Sequence, residues 1–287
     1  MSQPQPRHLM QTQEIKAFVR DAYGAVATPT GALAAKLYPA DDLVQVPQIA
    51  INGALGVANP LRHAAIVPGE TVLDLGCGSG IDTILAARRT GPAGRVIALD
   101  FLPAMLERTA AAAAQAGLRN VETLHADIEG IPLPDGSVDQ IISNGVLNLS
   151  PRKARVLAEC RRVLRPGGKL CVADMTVAED ELPAEVLTHP AAWSGCAAGA
   201  LTERDFARKL GTAGFGEIEI VDRRPQSIDD LALYPLFPAE LLQLMRTYIH
   251  PGKHARIATA IVVKAVARSD TEAGPHHNDR VYRRNLA

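Results

Sequence analysis

Cysteine, aromatic side chains and long apolar runs are all scarce in this 287-residue chain. Its four cysteines, Cys77, Cys160, Cys171 and Cys196, lie far apart, with no CxxC pair and no matching histidine set. That spacing argues against a disulfide framework or a structural zinc site and suits reduced thiols in a cytoplasm. Aromatics make up 4% of the residues, too few for platforms that stack single-stranded nucleic acid. Neither charge dominates: 30 Lys plus Arg face 31 Asp plus Glu, a formal net charge of -1. No basic field is therefore available for phosphate backbones. No apolar run reaches the roughly 18 residues of a membrane span. The strongest, Ala258–Ala267, is short and holds Lys264. Met1–Gln13 is polar and proline-bearing, so no secretory signal is expected.

What is present is a regular alternation. Thr71–Leu75, Arg95–Leu99, Val121–His125, Gln140–Asn144 and Lys169–Asp174 read as strands. The segments between them carry helical spacing, as in Pro103–Ala116 with Gly117 suited to end it. Ser150-Pro151 reads as an N-cap and first helical residue. Strands alternating with helices predict βαβ units and a parallel sheet. Upstream, Ile15, Phe18, Val19 and Ala22 form one helical face over 14–23, and short helices and loops are expected through residue 70. Downstream, 178–210 looks helical and loop-like, Glu217–Val221 and Ala258–Val266 read as strands, and 222–256 is an insertion with a helix near 238–246. The expected organisation is a disordered lead over 1–13, a catalytic domain over 14–267 and a polar tail over 268–287. The cap of that domain comes from 14–65 and 178–210.

The sharpest motif is Val72-Leu73-Asp74-Leu75-Gly76-Cys77-Gly78-Ser79-Gly80. A buried strand running into a glycine turn that opens a helix lets backbone approach a ligand closely. Asp100 ends the next strand, where a carboxylate can take both ribose hydroxyls of an adenosine ligand. A turn needed only for strand–helix packing is the plain alternative. The turn lacks the GxGxxG spacing that serves a pyrophosphate. Asp82, beside the helix N-terminus, would repel a diphosphate and welcome an ammonium group. S-adenosylmethionine is a ligand of that kind.

These residues resemble the class I S-adenosylmethionine-dependent methyltransferases. The resemblance implies a Rossmann-like α/β fold: a mostly parallel seven-stranded sheet, helices on both faces and a helical cap. It also implies cofactor contacts from Asp74, Gly76, Gly78, Gly80, Asp82, Asp100, Phe101, Met105, Asp127, Ile128 and Asn144. Met105 would rest on the adenine ring or serve as core, and Asp127 would bond the adenine amino group. Leu164-Arg165-Pro166-Gly167-Gly168 is similar to the signature before the fifth strand. Within that class, VRDAYGAVA (19–27), GVANP (56–60), ISNGVLNLS (142–150) and the stretch 182–206 resemble arsenite methyltransferases.

That narrower family holds trivalent arsenic with several thiolates, because a soft metalloid takes soft ligands. Here one of those positions is Cys196, while Gly145 and Val57 stand at two others, and no cysteine precedes Cys77. One thiolate cannot complete such a site unless glutathione or another thiol supplies the rest. Cys196 reads equally as a substrate ligand, a low-pKa thiol or an inert buried side chain. Asn144, Tyr23 and His189 are the candidates on the acceptor side, His189 being also readable as a structural hydrogen-bonding residue. No metal site is expected: His250 and His254 are four apart, but Pro251-Gly252 breaks the helix that would align them.

The expected activity is methyl transfer to a small molecule, a thiol or a metalloid such as arsenite. C- or O-methylation of a quinone-like or specialised metabolite is the alternative, and non-catalytic binding of adenosylmethionine a third. No nucleic-acid or membrane partner is expected.

Overall fold

The computed structural model describes residues 12–26, 31–178 and 182–269. Most of the predicted lead and tail, including His276-His277, lies outside the described residues. Thr12 and Gln13 correct the lead's boundary, since they begin the first helix.

Before the sheet come α1 (Thr12–Gly24), α2 (Gly31–Leu37), α3 (Ala40–Leu43), α4 (Gln48–Ile51) and a 3₁₀ turn at Pro60–Arg62. The alternating region gives β1 (Thr71–Leu75), α5 (Ile81–Thr90), β2 (Arg95–Asp100), α6 (Pro103–Gln115), β3 (Val121–His125), β4 (Val138–Asn144), α7 (Lys153–Val163) and β5 (Leu164–Thr176). Then follow α8 (Ala184–Leu187), α9 (Pro190–Ser194), α10 (Glu203–Thr212), β6 (Phe215–Gln226), α11 (Ile228–Leu231), α12 (Ala239–Tyr248) and β7 (Ala258–Ala267).

The seven strands form one sheet in the order β3-β2-β1-β4-β5-β7-β6. The first five run parallel, and β7 is antiparallel to both its neighbours. Alternate strand residues feed opposite faces. Val72, Val96 and Ile142 join one apolar cluster with Ile84 of α5, and Leu73, Leu75 and Ile141 join another with Val156 of α7. Helices therefore cover both faces, as the continuous apolar strands require. The chain order reverses between β1 and β4, so a crevice opens at their carboxyl ends, where such sheets bind ligands.

Several boundaries differ from expectation; β4 starts at Val138, and β5 at Leu164, so Arg165-Pro166-Gly167-Gly168 lies within its span. Helix α7 begins at Lys153 with Arg152 at its cap. The Ser150 hydroxyl, expected to cap it, donates to Glu129 Oε1 at 2.7 Å and accepts from the Arg152 N–H at 2.9 Å. Strand β6 is twelve residues long because two bulges, near Glu217 and Val221, carry it past irregular positions. Its extension to Gln226 moves the start of the insertion to 227.

Candidate functional site

The glycine turn is shaped by what lies behind it. A Cβ at Gly76, where φ is +76°, would come 2.3 Å from a methyl of Val146. At Gly78, with φ of +54°, nothing lies within 4 Å of the added carbon, because that position faces open space. Gly80 turns away from that space, its missing Cβ lying 2.9 Å from Thr109 Oγ1 of α6. Leu99 carbonyl accepts from the N–H groups of Gly76 and Cys77 at 2.8 and 2.9 Å. Gly78 N–H donates to Asp100 Oδ2 at 3.0 Å and Gly80 N–H to the Cys77 carbonyl at 3.0 Å. Four amides of the turn are thus already engaged within the protein.

In front of the turn is a cavity of about 1160 Å³. Its wall includes Asp74, Gly76, Gly78, Asp82, Asp100, Phe101, Met105, Asp127, Ile128, Asn144, Gly145 and Tyr23. The sequence-predicted cofactor residues are therefore brought together, Gly80 excepted. Met105 is buried against the cavity.

Three carboxylates set the electrostatics. Asp74, Asp82 and Asp100 are all buried, and among the described residues none has an ion pair. Burial raises the pKa of Asp74, helped by the charge of Asp82 and opposed by the Thr83 hydroxyl, which donates to Asp74 at 2.5 Å. Burial also raises Asp82, against hydrogen bonds from Asn144 and Tyr38. Asp100 is raised by burial and held back by the N–H groups of Leu102 and Gly78. Burying carboxylates without cations costs several kcal/mol apiece, and a positively charged ligand relieves it. A diphosphate would add to it. The residues thus fit a sulfonium ligand that also carries an ammonium group.

Asn144 does more than face the cavity. Its Oδ1 accepts from Val57 N at 2.8 Å and Ala58 N at 3.3 Å. Its Nδ2 donates to the Ala58 carbonyl (2.8 Å), the Tyr38 hydroxyl (3.0 Å) and Asp82 Oδ2 (3.0 Å). Tyr38 in turn donates to both Asp82 oxygens at 3.0 Å. Gly56 permits this closeness, since a Cβ there would lie 2.4 Å from Asn144 Nδ2.

Tyr38 was not foreseen, being 44 residues from Asp82 with no motif around it. Lys16 of α1 was also missed. It bonds Asp127 at 2.7 Å and Glu129 at 2.6 Å across more than 110 residues.

The acceptor-side candidates separate. Tyr23 lines the cavity and donates to the Ser194 carbonyl at 3.2 Å. Burial drives its pKa well up, with added repulsion from Cys196, so it stays a neutral phenol. His189 is not on the cavity wall: its Nδ1 accepts from the Ala191 N–H at 3.2 Å and caps α9. Cys196 lies behind the wall, with Sγ 3.4 Å from the Gly145 carbonyl. Burial pushes its thiol well above the usual range, which corrects the low-pKa alternative. Its φ of +59° costs about 1–2 kcal/mol for a residue with a Cβ. The packing that holds it includes Phe237, whose ring leaves no room for a side chain at Gly195. A Cβ on Gly145 would sit 3.3 Å from Val57 Cγ1. Cys196, Gly145 and Val57 are therefore neighbours, with one sulfur among them. The other thiols, Cys77, Cys160 and Cys171, are buried and free. His250 caps its own turn and His254 bonds the Ile249 carbonyl, and no metal-binding cluster occurs among the described residues.

The raised carboxylates predict a pH dependence. Asp174, buried beside Asn148, is pushed up to about 6, and Asp74, Asp82 and Asp100 also lie above the ordinary range. An acid raised on folding stabilises the fold fully below its unfolded pKa, and that contribution is lost as pH rises through the folded value. Urea titrations from pH 5 to 8 should show ligand-free stability falling, by about 1–1.5 kcal/mol from Asp174 alone. A cationic ligand favours the ionised carboxylates, so its affinity should rise over the same interval.

Comparison with known proteins agrees with this geometry. Residues 66–214 match the family model described as a methyltransferase domain. The chain is similar to an arsenite methyltransferase of Halobacterium salinarum, 43% identical over 186 residues, covering 65% of this chain and 47% of that protein. A second, from Aquipseudomonas alcaligenes, is 38% identical over 176 residues, 59% of this chain and 51% of the other. The chain thus spans about half the length of these curated relatives. Among solved structures, an arsenic(III) S-adenosylmethionine methyltransferase of Chlamydomonas reinhardtii aligns at a TM-score of 0.60 and 31% identity. That alignment covers 85% of this chain and 75% of the other. No helix among the described residues is long and apolar enough to cross a membrane.

Proposed function

The chain belongs to the methyltransferase-domain family of S-adenosylmethionine-dependent enzymes, and we propose that it methylates a small, soft nucleophile whose lone pair needs no protein base. A thiol, or a trivalent metalloid already carrying thiols, is such an acceptor. The observation that carries this reading is the contrast between the two ends of the cavity. The turn end holds three unpaired buried carboxylates, whereas the wall near Tyr23, Gly145 and Val146 carries a neutral phenol, and the cavity's other buried carboxylate, Glu129, is already engaged by Lys16 and the Ser150 hydroxyl.

Bound here, S-adenosylmethionine supplies an electrophilic methyl carbon on a positively charged sulfur. On this reading Asp100 holds the ribose, Asp127 the adenine amino group, and Asp82 with Asp74 the ammonium end. Asn144 is a positioning residue, fixing Asp82 and the 56–58 segment together. Tyr23 and Leu149 narrow the acceptor end and exclude water, so orientation supplies most of the rate.

The acceptor end also bears on arsenic. With one neutral thiol beside Gly145 and Val57, the protein alone lacks the ligand set of a thiolate cage. Arsenic then requires external thiol. We assign the methyltransferase domain to 12–267, with a cap from 12–65 and 178–210. The four buried free thiols suit a cytoplasmic setting.

The test is labelled-methyl transfer to small thiols, arsenite and phenols, with and without glutathione. Turnover on a thiol, or on arsenite only with glutathione, is expected; turnover confined to phenols contradicts the reading. Because Cys196 lies behind the wall, Cys196→Ser should keep turnover on thiols within about tenfold. A loss of several hundredfold would put its sulfur in contact with the acceptor.

A further inference from the structure

Tyr38 also borders a second cavity of about 430 Å³. Tyr38 is the residue that the two walls share. Lys36, Arg62 and Arg224 contribute positive charge to its wall, against a single carboxylate, Asp222.

The pairing of these charges leaves a surplus. Lys36 pairs with Asp230 of α11. Arg224 Nε is 3.7 Å from Asp222, whose same oxygen lies 3.9 Å from His63 Nε2. Arg62 has no ion pair among the described residues.

A second observation is independent of charge. Asn59 is 4% exposed. Its Oδ1 accepts from the Arg62 N–H at 3.1 Å, which fixes the amide's orientation. Its Nδ2 is left as a buried donor with no partner among the described residues. An unmatched buried donor is destabilising, so a site of this kind wants an acceptor.

We propose that this second cavity binds an oxyanion, the phosphate or carboxylate group of a small ligand, between Asn59 Nδ2 and the Arg62 guanidinium. Both supply donors, Arg62 can bond an oxyanion through two N–H groups at once, and Lys36 and Arg224 add attraction from the rim. The cofactor cavity, with its unpaired carboxylates, repels the same group, so the two sites take ligands of opposite charge.

Calorimetric titration of the full chain with inorganic phosphate, at ionic strength matched by chloride, tests this, with malonate in parallel. Saturable binding of either is expected, and which binds tighter identifies the source of the oxyanion. Asn59→Asp keeps the Oδ1 acceptor for Arg62 but replaces the donor with negative charge, and should weaken binding at least tenfold. Arg62→Gln should do the same. Both variants should bind S-adenosylhomocysteine with native affinity, which shows that they fold. Absence of saturable binding to the native protein, equal affinity in the variants, or loss of phosphate binding on adding S-adenosylhomocysteine would each overturn the assignment.

Discussion

Replacing Asp100 with alanine should weaken S-adenosylhomocysteine binding by about 30- to 150-fold, the equivalent of about 2–3 kcal/mol. Asp100 is the last residue of β2, and its register beside β1 puts the carboxylate next to the glycine turn. Each oxygen accepts one backbone N–H, from Leu102 and from Gly78, both at 3.0 Å. The remaining lone pairs are available to a vicinal diol. Removing the carboxylate thus takes away the proposed ribose contact and frees the Gly78 amide of the turn and the Leu102 amide at the start of α6. Calorimetry on the variant should show S-adenosylmethionine and S-adenosylhomocysteine losing affinity by similar factors, because the ribose is common to both. Asp100→Asn, which keeps one acceptor oxygen, should fall between. Unchanged affinity would remove the ribose role.

The second large effect is expected at Asn144. Its side chain joins β4, the 56–58 segment, Tyr38 and Asp82 through five hydrogen bonds. Asn144→Ala leaves the Val57 N–H and the Ala58 carbonyl without this partner in a site closed by Gly56. Unmatched groups of this kind put the loss of folding stability at about 2–4 kcal/mol, read from urea denaturation. Asp82 loses a bond that favours its charged form, so its pKa should climb further. Methyltransfer should therefore collapse most steeply at low pH. A variant as stable as the native protein would mean that the cap segment is held by other contacts.

Much of this was legible in the residues. The span 71–176 was readable because its strands are continuous apolar runs, and glycine or proline punctuates their ends. Asp74 and Asp100 stood out as acids inside or closing such runs, and the structure puts both on the cavity wall. The ends of elements were less legible. Ser150-Pro151 has the composition of a helix start, but Glu129 takes the serine hydroxyl and the helix begins later. Strand β6 lies at the sheet edge with half-exposed residues and two bulges, so its apolar pattern breaks where its pairing does not. His189 carried the residue type of a base, yet its ring nitrogen serves the turn two residues on.

The least legible features join distant segments. Lys16 meets Asp127, and Tyr38 meets Asp82 and Asn144, only because α1 and α2 fold over the carboxyl ends of the strands. No local spacing encodes such contacts. Cys196 was ambiguous for a related reason: its chemistry depends on burial behind Gly145, which sequence position does not reveal.

The cavity before the glycine turn, with its unpaired buried carboxylates, suits a positively charged adenosine ligand. Parallel calorimetric titrations of the full chain at pH 7.5 with S-adenosylmethionine, S-adenosylhomocysteine and NAD test it most directly. Micromolar binding of the first two, about -8 kcal/mol, and no saturable binding of NAD are the expected results. Binding of NAD with comparable affinity, or indifference to S-adenosylhomocysteine, would contradict it.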